Sequence, residues 1–159
     1  MERIKSSTIV AFDVGLKTGV AMIQFRPEKK PQIQVCTVDI NRLMKEILWM
    51  EAVINAEIWI AENFMLYPWE AKHQKFQKMD APRVIGILMH RAFELSIDIV
   101  FQNAGNMKPA FSDSTMEAFG FGNIKNHEQD ALKHALYYLK INRKEDLRCL
   151  IGNSTIPEK

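Results

Sequence analysis

The chain has 159 residues, of which 47% are hydrophobic and 25% are charged, and its net charge is +2. These values are typical of one globular domain that is long enough to bury a core. No apolar run is long enough to cross a bilayer, and residues 1–7 lack the apolar core of a signal peptide, so we expect a cytoplasmic protein. The small charge neither demands nor excludes a nucleic-acid partner. Cys36 and Cys149 are far apart and are expected to be free thiols.

Two short apolar runs flank a turn near the N-terminus. Residues 8–13 and 20–25 are predicted strands, and Asp13 ends the first of them. A carboxylate near the middle of a sheet is costly unless a cation pairs with it. Gly15 and Gly19 are expected to let the backbone approach a phosphate or a metal closely. An ordinary hairpin with a turn aspartate is the alternative interpretation.

A charged turn follows, and then a predicted third strand at 33–38, which completes an antiparallel meander. Asp39 is expected to N-cap a helix. The apolar residues of that helix recur at helical spacing as Leu43, Ile47, Met50 and Ile54. A fourth strand at 56–62 ends in Glu62, as the first strand ends in Asp13.

A loop rich in large apolar side chains and a basic segment follow the fourth strand. Residues 80–95 then predict a helix that is apolar on more than one face and packed on two sides. A fifth strand is predicted at 97–101. Residues 102–125 lack clear periodicity and predict an irregular, functional or mobile connection.

The last predicted helix begins at Asn126, which would cap it in a capping box completed by Gln129. The domain is predicted to cover residues 1–145, followed by a C-terminal tail at 146–159. This order of elements favours an α/β fold with a mixed five-stranded sheet, in which right-handed crossovers place strands one and four side by side.

In this arrangement Asp13 and Glu62 end neighbouring strands, where open α/β sheets place their ligands. Two adjacent carboxylates repel each other, so one must hold a proton or a cation must lie between them. Oxygen ligands of this kind suit Mg²⁺ or Mn²⁺.

The last helix places three more polar residues on one side: His127, Asp130 and His134. An acid in a first turn often only complements the helix dipole, and Glu128 is interpreted in this way. Asp130 instead lies on the face that leads toward the core. His134 is expected to be a partly buried histidine, and the alternative is a residue that supports metal ligands from behind.

These motifs together resemble a known family. Asp-x-Gly-x-x-x-Gly from Asp13, a glutamate ending the fourth strand, and His-x-x-Asp-Ala from His127 are similar to the RuvC-type Holliday-junction resolvases. The resemblance covers residues 8–139. Tyr-Pro-Trp at 67–69 and Pro-Arg-Val-Ile-Gly at 82–86 look closer to the phage-encoded branch. The resemblance implies an RNase H-like fold with a central mixed five-stranded sheet flanked by helices.

The resemblance also implies an activity. The family members are metal-dependent endonucleases that act as homodimers on four-way DNA and make paired symmetric nicks. By this resemblance Asp13 would bridge two Mg²⁺ ions, which Mn²⁺ could replace, while Glu62 and Asp130 would hold one ion each, with His127 also at the site. Many members carry aspartate where His127 stands, which bears on one metal position or on a preference for Mn²⁺. Two such ions activate a water and stabilise the leaving 3′ oxygen.

Basic and aromatic side chains supply candidate DNA contacts. Lys72, Lys75 and Lys78 recur every third residue, and Arg83 follows them. Three further lysines lie in turns near the same end of the sheet: Lys17, Lys108 and Lys125. Such lysines would contact phosphates, and a solvated basic face is the alternative.

The apolar loop after Glu62 holds four large side chains: Phe64, Met65, Tyr67 and Trp69. Phe64 and Tyr67 are predicted to stack on unpaired bases at a junction, whereas Trp69 is predicted to be core. The helix at 82–95 is the predicted dimer contact.

Three other functions compete with the resolvase. One is an RNase H-like nuclease for other branched DNA, flaps or RNA–DNA hybrids. Another is a phosphate-binding module of the actin-like ATPase type, although that fold needs two such domains and this chain is too short for both. The third is a structural protein that binds DNA junctions without cutting them. Three acids in register argue against it, because unpaired buried charge is costly without a metal.

Overall fold

The structure is a computed structural model that describes residues 6–64 and 79–152. The described residues contain one sheet of five strands: β1 (Ser7–Asp13), β2 (Lys17–Phe25), β3 (Gln32–Asp39), β4 (Ile58–Glu62) and β5 (Asp98–Gln102). The spatial order is β3-β2-β1-β4-β5, with β1–β2 and β2–β3 antiparallel and β1–β4 and β4–β5 parallel. The predicted mixed sheet, with its meander and two parallel strands, is therefore confirmed.

Helices cover both faces of the sheet. They are α1 (Ile40–Lys45), α2 (Glu51–Ile54), α3 (Asp80–Leu95), α4 (Ala104–Ala110), α5 (Asp113–Ala118), α6 (Asn126–Asn142) and α7 (Lys144–Ile151), with a 3₁₀ turn at Ile47–Trp49. In the described part of the chain, no helix is both long enough and apolar enough to span a membrane.

Alternate residues of a strand point to opposite faces of the sheet, and this alternation separates two cores. In β1, Ile9 and Ala11 belong to the core that contains the buried side of α6, whereas Val10 and Phe12 belong to the core beneath α1 and α3. Asp13 continues the series of Ile9 and Ala11. Its carboxyl group therefore lies on the α6 side of the sheet.

The predicted helix after Asp39 is broken into pieces. Asp39 does cap α1, because its side chain accepts a hydrogen bond from the amide of Arg42 at 2.9 Å. The backbone then leaves helical geometry at Glu46 and at Met50, where ψ is 137°. Because Ile47 and Leu48 are still buried in the 3₁₀ turn, the apolar spacing predicted the buried side but not the backbone path.

The prediction of an irregular connection at 102–125 was wrong. Helices α4 and α5 occupy much of it, although Pro109 lies inside α4. Met107, Phe111 and Met116 are fully buried, and α4 packs on α6. Tertiary packing of these side chains stabilises helices that local propensity disfavours.

Helix α3 also differs from its prediction. It buries the stripe Val84, Leu88 and Ala92, but its other apolar side is open to solvent, where Met89 is 51% and Phe93 is 84% exposed. Among the described residues, the predicted packing on two sides is therefore found on one side only.

Helix α7 contributes Leu147 and Ile151 to the core. Just before it, the guanidinium of Arg143 donates hydrogen bonds to Glu57 at 3.0 Å and to Ser7 at 2.9 Å. The predicted domain boundary at residue 145 thus falls within a packed helix.

Candidate active site

The carboxyl ends of β1, β4 and β5 carry three polar side chains on the α6 side of the sheet. Asp13 continues the inward series of β1, and Glu62 continues that of Ile58 and Ile60 in β4. Gln102 is the register partner of Glu62 in β5. Because side chains alternate between the two faces along each strand, these three lie together at one edge of the sheet, beneath α6.

Gly19 lets α6 come this close to the sheet. A Cβ atom at position 19 would lie 1.9 Å from the carbonyl oxygen of His127. Gly19 is also the register partner of Asp13, so the helix begins beside the candidate carboxylate. The close approach expected at Gly19 is therefore to a helix backbone, not to a phosphate or a metal.

The start of α6 is not the predicted capping box. Lys125 is the N-cap residue and makes no side-chain hydrogen bond there, and Asn126 has a positive φ of 53°. Gln129 instead donates its side-chain amide to the carbonyl of Ile124 at 3.0 Å. That bond holds the preceding loop against the helix.

His127 and Asp13 are in direct contact. Nδ1 of His127 lies 2.7 Å from Oδ2 of the buried Asp13, and half of the histidine side chain is exposed. An ionised carboxylate can only accept a hydrogen bond, so Nδ1 donates the proton. In the neutral ring this leaves Nε2 with its lone pair.

The surroundings of Glu62 strongly perturb its carboxyl group. Burial raises the pKa of Glu62 to about 8, and the hydrogen bond and negative charge of Asp13 act in the same direction, as does the charge of Asp130. Lys108 opposes this rise. The pair Asp13 and Glu62 therefore carries one negative charge at neutral pH unless a cation joins it.

Asp130 has a lysine at each carboxylate oxygen. Lys108 Nζ lies 3.3 Å from Oδ2 of Asp130, and Lys133 Nζ lies 3.5 Å from Oδ1. Although partial burial works against the charge of Lys108, the charge of Asp130 raises the pKa of Lys108. Lys133 is itself buried and pairs at 2.7 Å with Asp113.

His134 is fully buried, more deeply than predicted, and its Nδ1 lies 3.0 Å from the side-chain oxygen of Gln102. Burial lowers the pKa of His134 to about 4, against the opposing charges of Asp13 and Asp130. Its Nε2 is buried and has no hydrogen-bond partner among the described residues. Gln102 was not predicted as a site residue from the sequence, although it ends its strand as Asp13 and Glu62 end theirs.

The oxygen donors of these side chains are the kind that a hard divalent cation prefers, but their present positions do not yet surround an ion. Two carboxyls in contact, one of them with a pKa near 8, form a site that a cation would stabilise. In residues 6–64 and 79–152, however, no three His, Cys, Asp or Glu side chains converge as a ready metal site. The donors would have to close around an ion by side-chain rotation.

Some of the predicted DNA contacts lie in the described residues and others do not. Lys17, Lys108 and Lys125 are exposed, and Lys17 begins β2 at the end of the sheet where Asp13 ends β1. Arg83 is exposed and pairs with Asp80 at 3.5 Å, and Phe64 is half-buried. Four predicted contacts, Tyr67, Lys72, Lys75 and Lys78, lie outside the described residues, as does the predicted core residue Trp69.

A polar cavity of about 220 Å³ adjoins the start of α6. It is lined by Asp113, Glu117, Gly122, Lys125, Asn126 and Gln129. The predicted DNA contact Lys125 thus borders a concave surface that the first turn of α6 also lines.

Comparison with solved structures identifies the fold. No protein-family model and no curated protein matches this chain. The Thermus thermophilus RuvC structure in complex with a Holliday junction substrate matches with a TM-score of 0.62 and 15% identity, over 85% of this chain and 96% of that chain. Another T. thermophilus RuvC structure matches with a TM-score of 0.57 and 14% identity, over 84% of this chain and 96% of that chain. The chain therefore has the RNase H-like fold of RuvC, and these likenesses lend no support to the predicted phage-encoded branch.

Proposed function

We propose that this protein is a metal-dependent endonuclease that resolves four-way DNA junctions by paired symmetric nicks. The observation that carries the proposal is the meeting of Asp13, Glu62 and the first turn of α6 at the carboxyl edge of a RuvC-like sheet. One of the matching RuvC structures holds a Holliday junction substrate. The resemblance to the phage-encoded branch remains a prediction.

The candidate ligands are Asp13, Glu62, Asp130 and His127, and two Mg²⁺ or Mn²⁺ ions held by them would supply a nucleophilic water and stabilise the leaving oxygen. Asp13 is central because it contacts both Glu62 and His127. Glu62 would release its proton to solvent when a cation neutralises the acid pair. His127 orients Asp13 through Nδ1 and keeps Nε2 for a ligand or a water proton.

Around this centre, Lys17, Lys108 and Lys125 provide exposed positive charge for phosphates. Buried His134 fixes the end of β5 through Gln102 and supports the acids from behind. Phe64 follows Glu62 closely enough to meet an unpaired base beside the cut.

The test is cleavage of a labelled synthetic four-way junction, beside a linear duplex, another branched DNA and an RNA–DNA hybrid, with Mg²⁺, Mn²⁺ or EDTA. We expect paired symmetric nicks that EDTA abolishes and that Asp13→Asn reduces at least a hundredfold, while the exposed Asp98→Asn is neutral. Cleavage of the hybrid or of the other branched DNA alone would keep the metal site and change the substrate.

A junction-binding protein without nuclease activity is the second candidate. The engagement of both Asp130 oxygens by lysines favours it, since neither oxygen is open to a metal until Lys108 moves away. Tight junction binding without cleavage of any substrate would establish this function and exclude the nuclease.

The role of His127 has its own test. We expect His127→Ala to weaken metal-dependent cleavage, because Asp13 loses its orienting partner and the site loses one candidate ligand. Unchanged cleavage would exclude His127 from the site.

We further propose that the protein acts in the cytoplasm as a homodimer through α3. The exposed side chains Met89 and Phe93 supply an apolar surface on that helix. Phe93→Glu should shift the sedimentation coefficient to that of a monomer, whereas the same substitution at the exposed Lys144 should not. A monomeric wild type would exclude the dimer.

A further inference from the structure

Lys133 is a buried lysine beside the candidate active site that no step of the proposed function uses. Its side chain is 6% exposed, although it lies on the same helix as Asp130 and only one turn further. Lysine is rarely buried unless it is paired, and here two carboxylates lie within 3.5 Å of its ammonium group. A lysine in this position places its ammonium group next to a candidate ligand, in a location set by two carboxylates.

Asp113 holds that charge in place. Its Oδ1 lies 2.7 Å from Lys133 Nζ, and this contact lowers the pKa of Asp113. Asp113 begins α5, which Ser112 caps. Met116 within this helix and Phe111 just before it are fully buried. A short helix anchored in the core therefore fixes one end of the Asp113–Lys133 pair.

The two lysines on Asp130 differ in their freedom to leave. Lys108, at Oδ2, is 57% exposed and can swing into water when a cation arrives. Lys133, at Oδ1, has no comparable exit and would also lose Asp113. The two oxygens of Asp130 are thus not equivalent toward a metal.

We propose that Lys133 is a positioning residue for Asp130. Tethered by Asp113, it holds Oδ1 and leaves Oδ2 as the oxygen that a divalent cation takes over from Lys108. The inference rests on the proposed metal site, but the two residues to which it gives a role, Lys133 and Asp113, are not candidate ligands.

The test is a titration of the full chain with Mn²⁺ in the absence of DNA. Binding is measured from the electron paramagnetic resonance signal of the free ion. We expect Lys133→Met to weaken Mn²⁺ binding by about 10–100-fold, which is typical of losing a group that orients a ligand. Lys133→Arg should restore much of the affinity because it keeps the charge. The exposed Lys144→Met is the matched control and should bind as the wild type does.

The variant Asp113→Asn tests the tether while keeping the lysine. Its affinity should also fall, because an untethered Lys133 closes fully on Asp130. The double variant Asp113→Asn/Lys133→Met should bind no more weakly than Lys133→Met alone, since Asp113 acts only through Lys133. Additive losses would overturn the inference.

The Mn²⁺ affinity of Lys133→Met also tests the inference by itself. Unchanged or tighter Mn²⁺ binding by folded Lys133→Met would overturn the positioning role, and urea unfolding would establish that the variant is folded. Methionine keeps the apolar stem of the lysine, and the two carboxylates that lose their partner, Asp113 and Asp130, are 85% and 25% exposed and can be hydrated, so we expect the variant to fold. Asp113→Asn alters a side chain that is 85% exposed and gives a second variant that keeps the fold.

The proposed function and this inference can fail separately. If the wild type binds Mn²⁺ and Lys133→Met weakens binding but no junction is cut, the nuclease fails and the inference stands. If the wild type cuts junctions and Lys133→Met binds Mn²⁺ normally, only the inference fails. A wild type that binds no Mn²⁺ overturns both.

Discussion

The two faces of the sheet are built by the same strands and differ completely at one edge. On the side of α1 and α3, Phe12 and Trp59 meet edge to face with ring centroids 5.5 Å apart, and the indole of Trp59 donates to the carbonyl of Val53 at 3.1 Å. On the α6 side, the next residue of β1 is Asp13, which contacts His127 and Glu62. A shift of one residue in register would exchange a satisfied apolar core for an acidic site.

This comparison predicts that the apolar face carries stability without function. Trp59→Ala should lower the free energy of unfolding by about 3–5 kcal/mol, because Trp59 is fully buried. The folded fraction should keep its Mn²⁺ affinity, measured at low temperature where the variant is folded. Trp49→Ala, at a tryptophan that is 63% exposed, is the control and should cost far less. Loss of Mn²⁺ affinity in folded Trp59→Ala would mean that the two faces are coupled.

Gly19 should link stability and function, because it lies between the sheet and α6. Gly19→Ala places a Cβ atom 1.9 Å from the His127 carbonyl oxygen, so the helix must shift. We expect a loss of about 3 kcal/mol together with weaker metal binding. Gly86→Ala lies in the interior of α3, where, apart from that helix, no described part of the chain comes within 4 Å of the new Cβ. It should instead stabilise by about 0.5–1 kcal/mol. Equal effects of the two substitutions would contradict the close approach of α6.

His134 should make the α6 face sensitive to acid. Because burial lowers the pKa of His134 from 6.5 to about 4, the unfolded chain takes up a proton between these values while the folded chain does not. Stability is therefore lost as the pH falls from 6.5 to about 4, by about 2–3 kcal/mol relative to His134→Gln. Urea unfolding of both proteins at several pH values measures the difference, and parallel profiles would contradict it.

Glu62 should act in the opposite direction and more weakly. Burial and Asp13 raise the pKa of Glu62 from 4.5 to about 8, so without metal the folded chain keeps a proton that the unfolded chain releases. Stability is therefore lost as the pH rises from 4.5 to about 8. Relative to Glu62→Gln the loss should be about 1 kcal/mol, because Glu62 is partly exposed and solvent screens it. Saturating Mn²⁺ should abolish this loss of stability at rising pH if Glu62 binds the ion.

Local patterns in the sequence predicted the sheet and its acidic edge. Asp13 and Glu62 each end a short apolar run, and the rule for right-handed crossovers places the two strands together. The structure confirms this adjacency in the parallel pairing of β1 and β4. Gln102 could have been found by the same reasoning, since it ends the parallel strand next to Glu62. Its amide simply lacks the charge that drew attention to the acids.

Other features depend on contacts that no local pattern reveals. Lys133 looks like a solvated lysine in sequence, and its burial depends on Asp113, 20 residues earlier. Helix α4 contains both Gly105 and Pro109, and it forms because α6 offers a surface to pack on. The capping box failed for the same reason, since Gln129 bonds to a loop carbonyl set by tertiary structure.

The contact between His127 and Asp13 joins residues 114 positions apart in the chain. During synthesis the N-terminal hairpin emerges well before α6, at about 5–20 residues per second. Until α6 has been made and has docked over Gly19, Asp13 has no histidine partner and the lysines have no Asp130 to hold. A growing or partly unfolded chain therefore has no assembled site, so any nuclease activity would be confined to chains that have finished folding.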